Sequence, residues 1–205
     1  SATQVRDEMA QAEEDESAQL AAAEAVLGDL QEEERQRLAQ LAEDRRQQQL
    51  AAAAAATQAW EQEGPAPDSS GSGAAESGGG FSGGTRAQAA VQYALSQVGD
   101  PYSFSANPPS SWDCSKLTAA AWAQGGVGLT ALSYTQWDQT QRVPVSDIQP
   151  GDLVFYFGLG AHHVAIYIGN GKMVSASNPS DGVEIIDFLG PWYGERFSGV
   201  GRVIG

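Results

Sequence analysis

The sequence predicts a chain of the α+β class, in which a long helical segment precedes a domain whose helices come first and whose strands follow. Three observations predict it. Residues 1–63 are built mainly from Ala, Glu, Gln, Arg and Leu and contain no proline. Residues 64–85 are a tract rich in Gly, Ser and Pro, the composition of a flexible linker and a domain boundary. From residue 86 to 205 the apolar residues first recur at helical spacing and then gather into short runs bounded by turn residues. Two helices followed by a run of antiparallel strands is the order of an α+β domain.

In the first segment Val5, Met9 and Ala12, then Leu27 and Leu30, then Leu38 and Leu41 recur at spacings of three and four. Ala, Gln or Glu fills many of the seam positions, so this is a weak coiled-coil seam that needs a partner helix. At Gly28 the sequence leaves two courses open. Asp29-Leu30-Gln31-Glu32 has the form of a capping box that would restart a helix after a turn, and a continuous rod fits equally well. Charge is concentrated here too: 15 acidic and 5 basic residues up to Glu63, against 9 and 6 from Arg86 onward, in a chain of net charge −15. These acidic residues read as a solvated helix face. An acidic chain without a basic patch is not built to bind nucleic acid. No apolar run approaches the roughly 20 residues that span a bilayer, and no leader pattern opens the sequence. The single cysteine leaves the redox compartment open.

In the second part, Thr85 is placed to cap a helix carrying Ala87, Val91, Ala94, Leu95 and Val98 on one stripe, which Gly99 and Pro101 end. Tyr102 and Phe104 follow in an extended segment that leads through Pro108 and Pro109 to Trp112-Asp113-Cys114-Ser115-Lys116. That run opens an apolar helix with Asp113 as N-cap, stopped by Gly125 and Gly126. A polar, partly helical stretch with Tyr134, Trp137 and Gln139 comes next, and then about five strands: Leu153–Phe157, His162–Ile168, Lys172–Ala176, Val183–Phe188 and Gly199–Ile204. The second and third of these form a hairpin around Gly169-Asn170-Gly171.

Cys114 is the one cysteine, and it falls in the first turn of a helix. There the macrodipole and the free backbone N–H groups favour a thiolate and can stabilise an oxyanion. The two histidines of the chain, His162 and His163, are neighbours on one strand and so point to opposite faces. His162 shares a face with Val164, Ile166 and Ile168, and His163 with Ala165 and Tyr167. Alternation does not choose between them, although the small Ala165 would let a helix approach beside His163. A helix-terminal Cys and a strand His that accepts its proton is the logic of papain-like catalysis. One Cys and two histidines pointing apart do not make a zinc site, and no metal or other cofactor is expected.

Asp100-Pro101-Tyr102, Trp112-Asp113-Cys114-Ser115, Gln149-Pro150-Gly151-Asp152-Leu153-Val154-Phe155-Tyr156 and His163-Val164-Ala165-Ile166-Tyr167-Ile168-Gly169-Asn170-Gly171 resemble, in order, the motifs of NlpC-type cell-wall cysteine peptidases. The resemblance covers roughly Arg86 to Gly205. It implies a papain-like fold, with helices packed on an antiparallel sheet, and cleavage of peptidoglycan stem peptides between D-glutamate and a diamino acid. It also implies a secreted bacterial protein whose signal peptide has been removed. By the same resemblance Cys114 is the nucleophile and His163 the base. The Tyr102 hydroxyl joins the Cys114 backbone N–H as an oxyanion donor, and Asp113 and Ser115 shape the substrate pocket.

The sequence departs from the family pattern at three places. Lys116 stands where the family has Gly, Ser105 and Ala106 stand for a glycine pair, and the third catalytic position, usually His, Asn, Gln or Glu, falls on Ser175. Asn178 and Asp181 are alternative orienting groups. The first expectation is therefore a peptidoglycan endopeptidase whose N-terminal helices restrict the cleft, or engage a membrane or divisome protein. In that docking Lys116 and Arg142 would be local contacts. The second is a degenerate peptidase fold that serves as a wall-binding or regulatory module.

Overall fold

The computed structural model describes residues 2–63, 83–158 and 162–204. The linker expected over 64–85 lies outside the described residues as far as residue 82. Two compact units divide the chain, Ser1–Gln47 and Gln48–Gly205.

The first unit belongs to helix α1 (Ala2–Glu63), which runs through Gly28 without a break, so of the two courses the sequence left open it takes the rod. A Cβ at Gly28 would meet nothing within 4 Å, so the glycine is neither a turn nor a packing contact. Leu20, Leu27, Leu30, Leu38 and Leu41 are all exposed. Arg35 and Arg37 pair with Glu32 and Glu34 one turn back, contacts that add a few tenths of a kcal/mol each to an exposed helix.

In the second unit, α2 (Gly83–Ser96) and α3 (Cys114–Gln124) precede α4 (Ser133–Gln139) and a six-stranded sheet. The strands are β1 (Gln141–Val143), β2 (Leu153–Tyr156), β3 (His163–Gly169), β4 (Lys172–Asn178), β5 (Gly182–Asp187) and β6 (Phe197–Arg202), with a short helix α5 (Pro191–Gly194) between the last two. Their order across the sheet is β1-β6-β2-β3-β4-β5, and all neighbours pair antiparallel. Among the described residues six strands stand where about five were expected. The addition is β1, three residues with two of them exposed, too short and too polar to show an apolar period. Thr85 is not a cap, because α2 begins two residues earlier.

β2 and β3 are buried on both faces, which is why they read as continuous apolar runs. One face carries Leu153, Phe155, Val164, Ile166 and Val174 against Val91, Leu117 and Trp122 of α2 and α3. The other carries Val154, Tyr156, Ala165, Tyr167 and Met173, closed by Phe188, Tyr193 and Phe197. The expectation that a helix approaches beside Ala165 is thereby corrected. The helices lie on the Val164 face, where branched residues fill the space between helix and sheet, and the Ala165 face is filled by aromatic rings. The Gln149–Asp152 turn is held from both sides: Trp122 donates its indole N–H to the Gly151 carbonyl at 3.1 Å, and buried Asp152 takes two hydrogen bonds from Arg202 at 2.9 and 2.8 Å.

The last turns of α1 belong to this unit as well. β5 is an edge strand, and Gln49 satisfies its open backbone: Oε1 accepts from the Ile185 N–H at 2.8 Å and Nε2 donates to the Ile185 carbonyl at 3.4 Å. Leu50 lies against Gly99, and Ala53 is buried in the core with Ala56 and Trp60 beside it. A side-chain amide thus copies the missing strand and blunts an edge otherwise open to pairing. Lys116 and Arg142 play no part in this contact. Lys116 Nζ bonds to the Ala106 carbonyl at 2.6 Å, and Arg142 bonds to the Trp137 and Thr140 carbonyls and stacks 3.8 Å over the Trp137 ring.

Candidate active site

Cys114 is the first residue of α3, and local sequence fixes it there. Asp113, extended at φ −103°, caps the helix: its Oδ1 accepts from the Lys116 N–H at 2.8 Å and from the Ser115 hydroxyl at 2.9 Å. Asp113 and Ser115, expected to shape a substrate pocket, have these side-chain atoms committed to the cap. The first turn is held from behind by buried Gln136. Its amide donates to the Ser115 and Thr130 carbonyls and accepts from the Thr118 hydroxyl, so none of its bonding capacity there is wasted. Tyr102 is brought alongside by the segment before the helix. The Trp112 N–H bonds to the Pro101 carbonyl at 3.0 Å, the Ser103 N–H to the Trp112 carbonyl at 2.9 Å, and the Trp112 indole to Asp100 at 3.1 Å. Tyr102 and Cys114 lie within electrostatic reach of each other, and Tyr102 is raised above the ordinary phenol value, first by burial and then by Cys114, Asp113 and Tyr193.

The Cys114 sulfur lies against β3, where the Val164 main-chain N–H points at it, together with the N–H groups of Ser115 and Cys114 itself. These donors pull the thiol down, yet burial pushes it up more strongly and Asp113 adds to the rise. The expected thiolate-favouring site is therefore corrected. The N–H groups are present, but desolvation of a charge costs more than they return.

His163 is buried at the start of β3, while His162 is exposed. The His163 Nε2 is 2.9 Å from the Ser175 Oγ on β4. Its ring lies among Tyr193, Tyr156 and Phe157, with centroids at 5.5, 6.0 and 6.4 Å. Phe157 leaves β2 at φ +68°, a left-handed conformation rare for a bulky residue. Burial lowers the imidazole to about 4, so the ring is neutral at neutral pH. Asn178 and Asp181, the alternative orienting groups, are engaged elsewhere: Asn178 Nδ2 donates to Asp181 Oδ2 at 2.7 Å in the turn between β4 and β5. Among the described residues no hydrogen bond joins the Cys114 thiol to the His163 ring; what the fold brings together is the sulfur and the backbone of the next residue, Val164.

Sequence reasoning missed Tyr193, Ser177 and Gln136, and it met Tyr156 within a motif without giving it a place in the site. Nothing in their spacing marks them, because each reaches the site by a tertiary route from a different element.

A cysteine opening a helix packed on an antiparallel sheet, with a buried histidine on the strand beneath it, defines the papain-like α+β class. The particular family follows from comparison: residues 99–202 match the model of the NlpC/P60 family, and the chain belongs to that family. It is 40% identical over 114 residues to "Probable endopeptidase p60" of Listeria seeligeri, a match that covers 55% of this chain and 21% of that protein. The chain thus spans about a fifth of the length of that curated relative. Among solved structures, the peptidoglycan hydrolase RipB of Mycobacterium tuberculosis is 27% identical with a TM-score of 0.51, covering 60% of this chain and 67% of RipB. RipD of the same organism, described as a non-catalytic NlpC/p60 domain protein adapted to peptidoglycan binding, is 25% identical with a TM-score of 0.51 and covers 58% of this chain and 98% of RipD. Relatives of both kinds share the fold.

Proposed function

We propose that the chain is a secreted cysteine endopeptidase that cleaves peptidoglycan stem peptides between D-glutamate and a diamino acid. The observation that supports it above the others is a buried, neutral His163 beside the strand residue whose N–H faces the Cys114 sulfur. Both partners rest neutral, so the reaction begins with proton transfer rather than from a standing ion pair. His163 takes the thiol proton as the sulfur attacks the peptide carbonyl carbon. Charge on the carbonyl oxygen is met by the Cys114 N–H and the Tyr102 hydroxyl. His163 returns the proton to the leaving amine as the C–N bond breaks, and water then hydrolyses the thioester. Ser175 orients the ring as a neutral third group, with less pull on a developing imidazolium than a carboxylate has.

Regulation by the N-terminal helix belongs to the same proposal. Gln49 on the β5 edge supports it, because β5 pairs Glu184 with Ser175. A membrane or divisome partner on α1 would act on the site from that side. No helix among the described residues is long and apolar enough to cross a membrane.

The test is digestion of purified disaccharide-tetrapeptide muropeptides by the whole chain, with products identified by mass spectrometry. New D-glutamate C-termini support the proposal. Binding without products would give the chain the role of a wall-binding module.

A further inference from the structure

We propose that Tyr193 is a positioning residue for His163: its ring closes the imidazole from the side opposite α3, and its hydroxyl extends the chain of hydroxyls that begins at Ser175. This rests on the reading of His163 as the base. The Tyr193 ring lies 5.5 Å from the His163 ring, tilted by 32°, and 4.8 Å from Tyr156 at 64°. Its hydroxyl is 3.5 Å from the Ser177 Oγ, to which it donates. Ser177 donates to the Ser175 Oγ at 3.2 Å, and Ser175 meets His163 Nε2 at 2.9 Å. In the family that last position usually carries a residue with longer reach, a role the resemblance assigns to one side chain. Here three hydroxyls span the distance, so the orienting group is distributed over β4 and α5.

The segment that carries Tyr193 is built to hold it there. Gly194 donates its N–H to the Gly190 carbonyl at 2.6 Å, and a Cβ on Gly194 would stand 2.9 Å from the Leu189 carbonyl oxygen, so a larger residue would displace the turn. The Arg196 N–H bonds back to the Tyr193 carbonyl, and the Phe157 N–H bonds to the Arg196 carbonyl. The two residues that flank His163 on this face, Phe157 and Tyr193, are thereby tied to each other. The titratable side chains packed around the imidazole are Tyr156 from β2 and Tyr193 from α5, the Cys114 thiol of α3 is its proposed proton donor, and among the described residues no charged side chain bonds to it. Tyr193 also lies within electrostatic reach of Tyr102, the proposed oxyanion donor.

The experiment is an NMR titration of the two histidines in the whole chain, with His162 as internal control, for the wild type, Tyr193→Ala and Tyr193→Phe. Loss of the ring lets water reach the imidazole, so in Tyr193→Ala the His163 midpoint rises by about one to two pH units. In Tyr193→Phe it stays low. A His163 midpoint unmoved in Tyr193→Ala overturns the proposal. Should that variant fail to fold, the decision passes to kcat and KM for Tyr193→Phe, Ser177→Ala and the double variant. A hydroxyl chain acting as one unit predicts a fall in kcat of about fivefold for each single change, the usual worth of a neutral hydrogen bond. KM is unchanged, and the double variant is no worse than either single. Multiplying effects, or none, overturn it. The two readings fail separately: a wild type that hydrolyses no muropeptide overturns the proposed reaction, while the titration judges the positioning role alone.

Discussion

Burial of His163 has a consequence for stability that depends on pH. In the folded chain the imidazole titrates at about 4, against 6.5 for an exposed histidine. Above pH 6.5 both folded and unfolded chains hold the ring neutral, and its contribution is constant. Between 6.5 and 4 the unfolded chain takes up a proton that the folded chain refuses, so stability falls as the pH is lowered. Below about 4 both are protonated and the loss levels off. At about 1.4 kcal/mol per pH unit, that interval amounts to about 3 kcal/mol. The assay is urea denaturation at pH 7.5 and pH 4.5 of the wild type, His163→Gln and His162→Gln. Carboxylates contribute to acid destabilisation equally in all three. The His163 variant should lose about 2–3 kcal/mol less than the wild type between the two pH values. The His162 variant, changed at an exposed site, is the control for the substitution itself. A His163 variant as acid-sensitive as the wild type would refute the claim that this ring is held neutral by burial.

Two further predictions concern the frame around the site. Asp152→Asn removes the charge that meets Arg202 and should cost about 2–3 kcal/mol in chemical denaturation; the partial exposure of Arg202 puts this at the low end for broken buried pairs. Gln49→Ala should cost about 1–2 kcal/mol, and hydrogen exchange should show it as faster exchange of the Ile185 amide, which otherwise has only solvent at the sheet edge.

Much of this fold is legible in the sequence because its elements are locally determined. Asp113 announces the start of α3 as an N-cap, and Gly169-Asn170-Gly171 announces the hairpin between β3 and β4, with Asn170 at φ +51° between two left-handed glycines. The order of two helices and then strands follows from where the apolar period changes. What the sequence conceals is set by tertiary contact. The face on which α3 lies depends on what covers Ala165, and that is a cluster closed by Phe188, Tyr193 and Phe197 from later in the chain. The protonation of Cys114 depends on desolvation by neighbours, which a helix-terminus argument leaves out. Gln49 reads as one more polar residue on an exposed helix, and its role appears only once β5 is known to be an edge.

The central claim is that Cys114 forms a covalent acyl intermediate with a stem peptide. Intact-protein mass spectrometry after rapid acid quench, with the whole chain turning over muropeptide, tests it directly. The account predicts a mass increase equal to the acyl half of the cleaved peptide, mapped by proteolysis to the segment containing Cys114. In Cys114→Ala, which preserves the small side chain and the Asp113 cap, both the adduct and the product disappear. Product formation by Cys114→Ala, or an adduct mapped to any other segment, would contradict it.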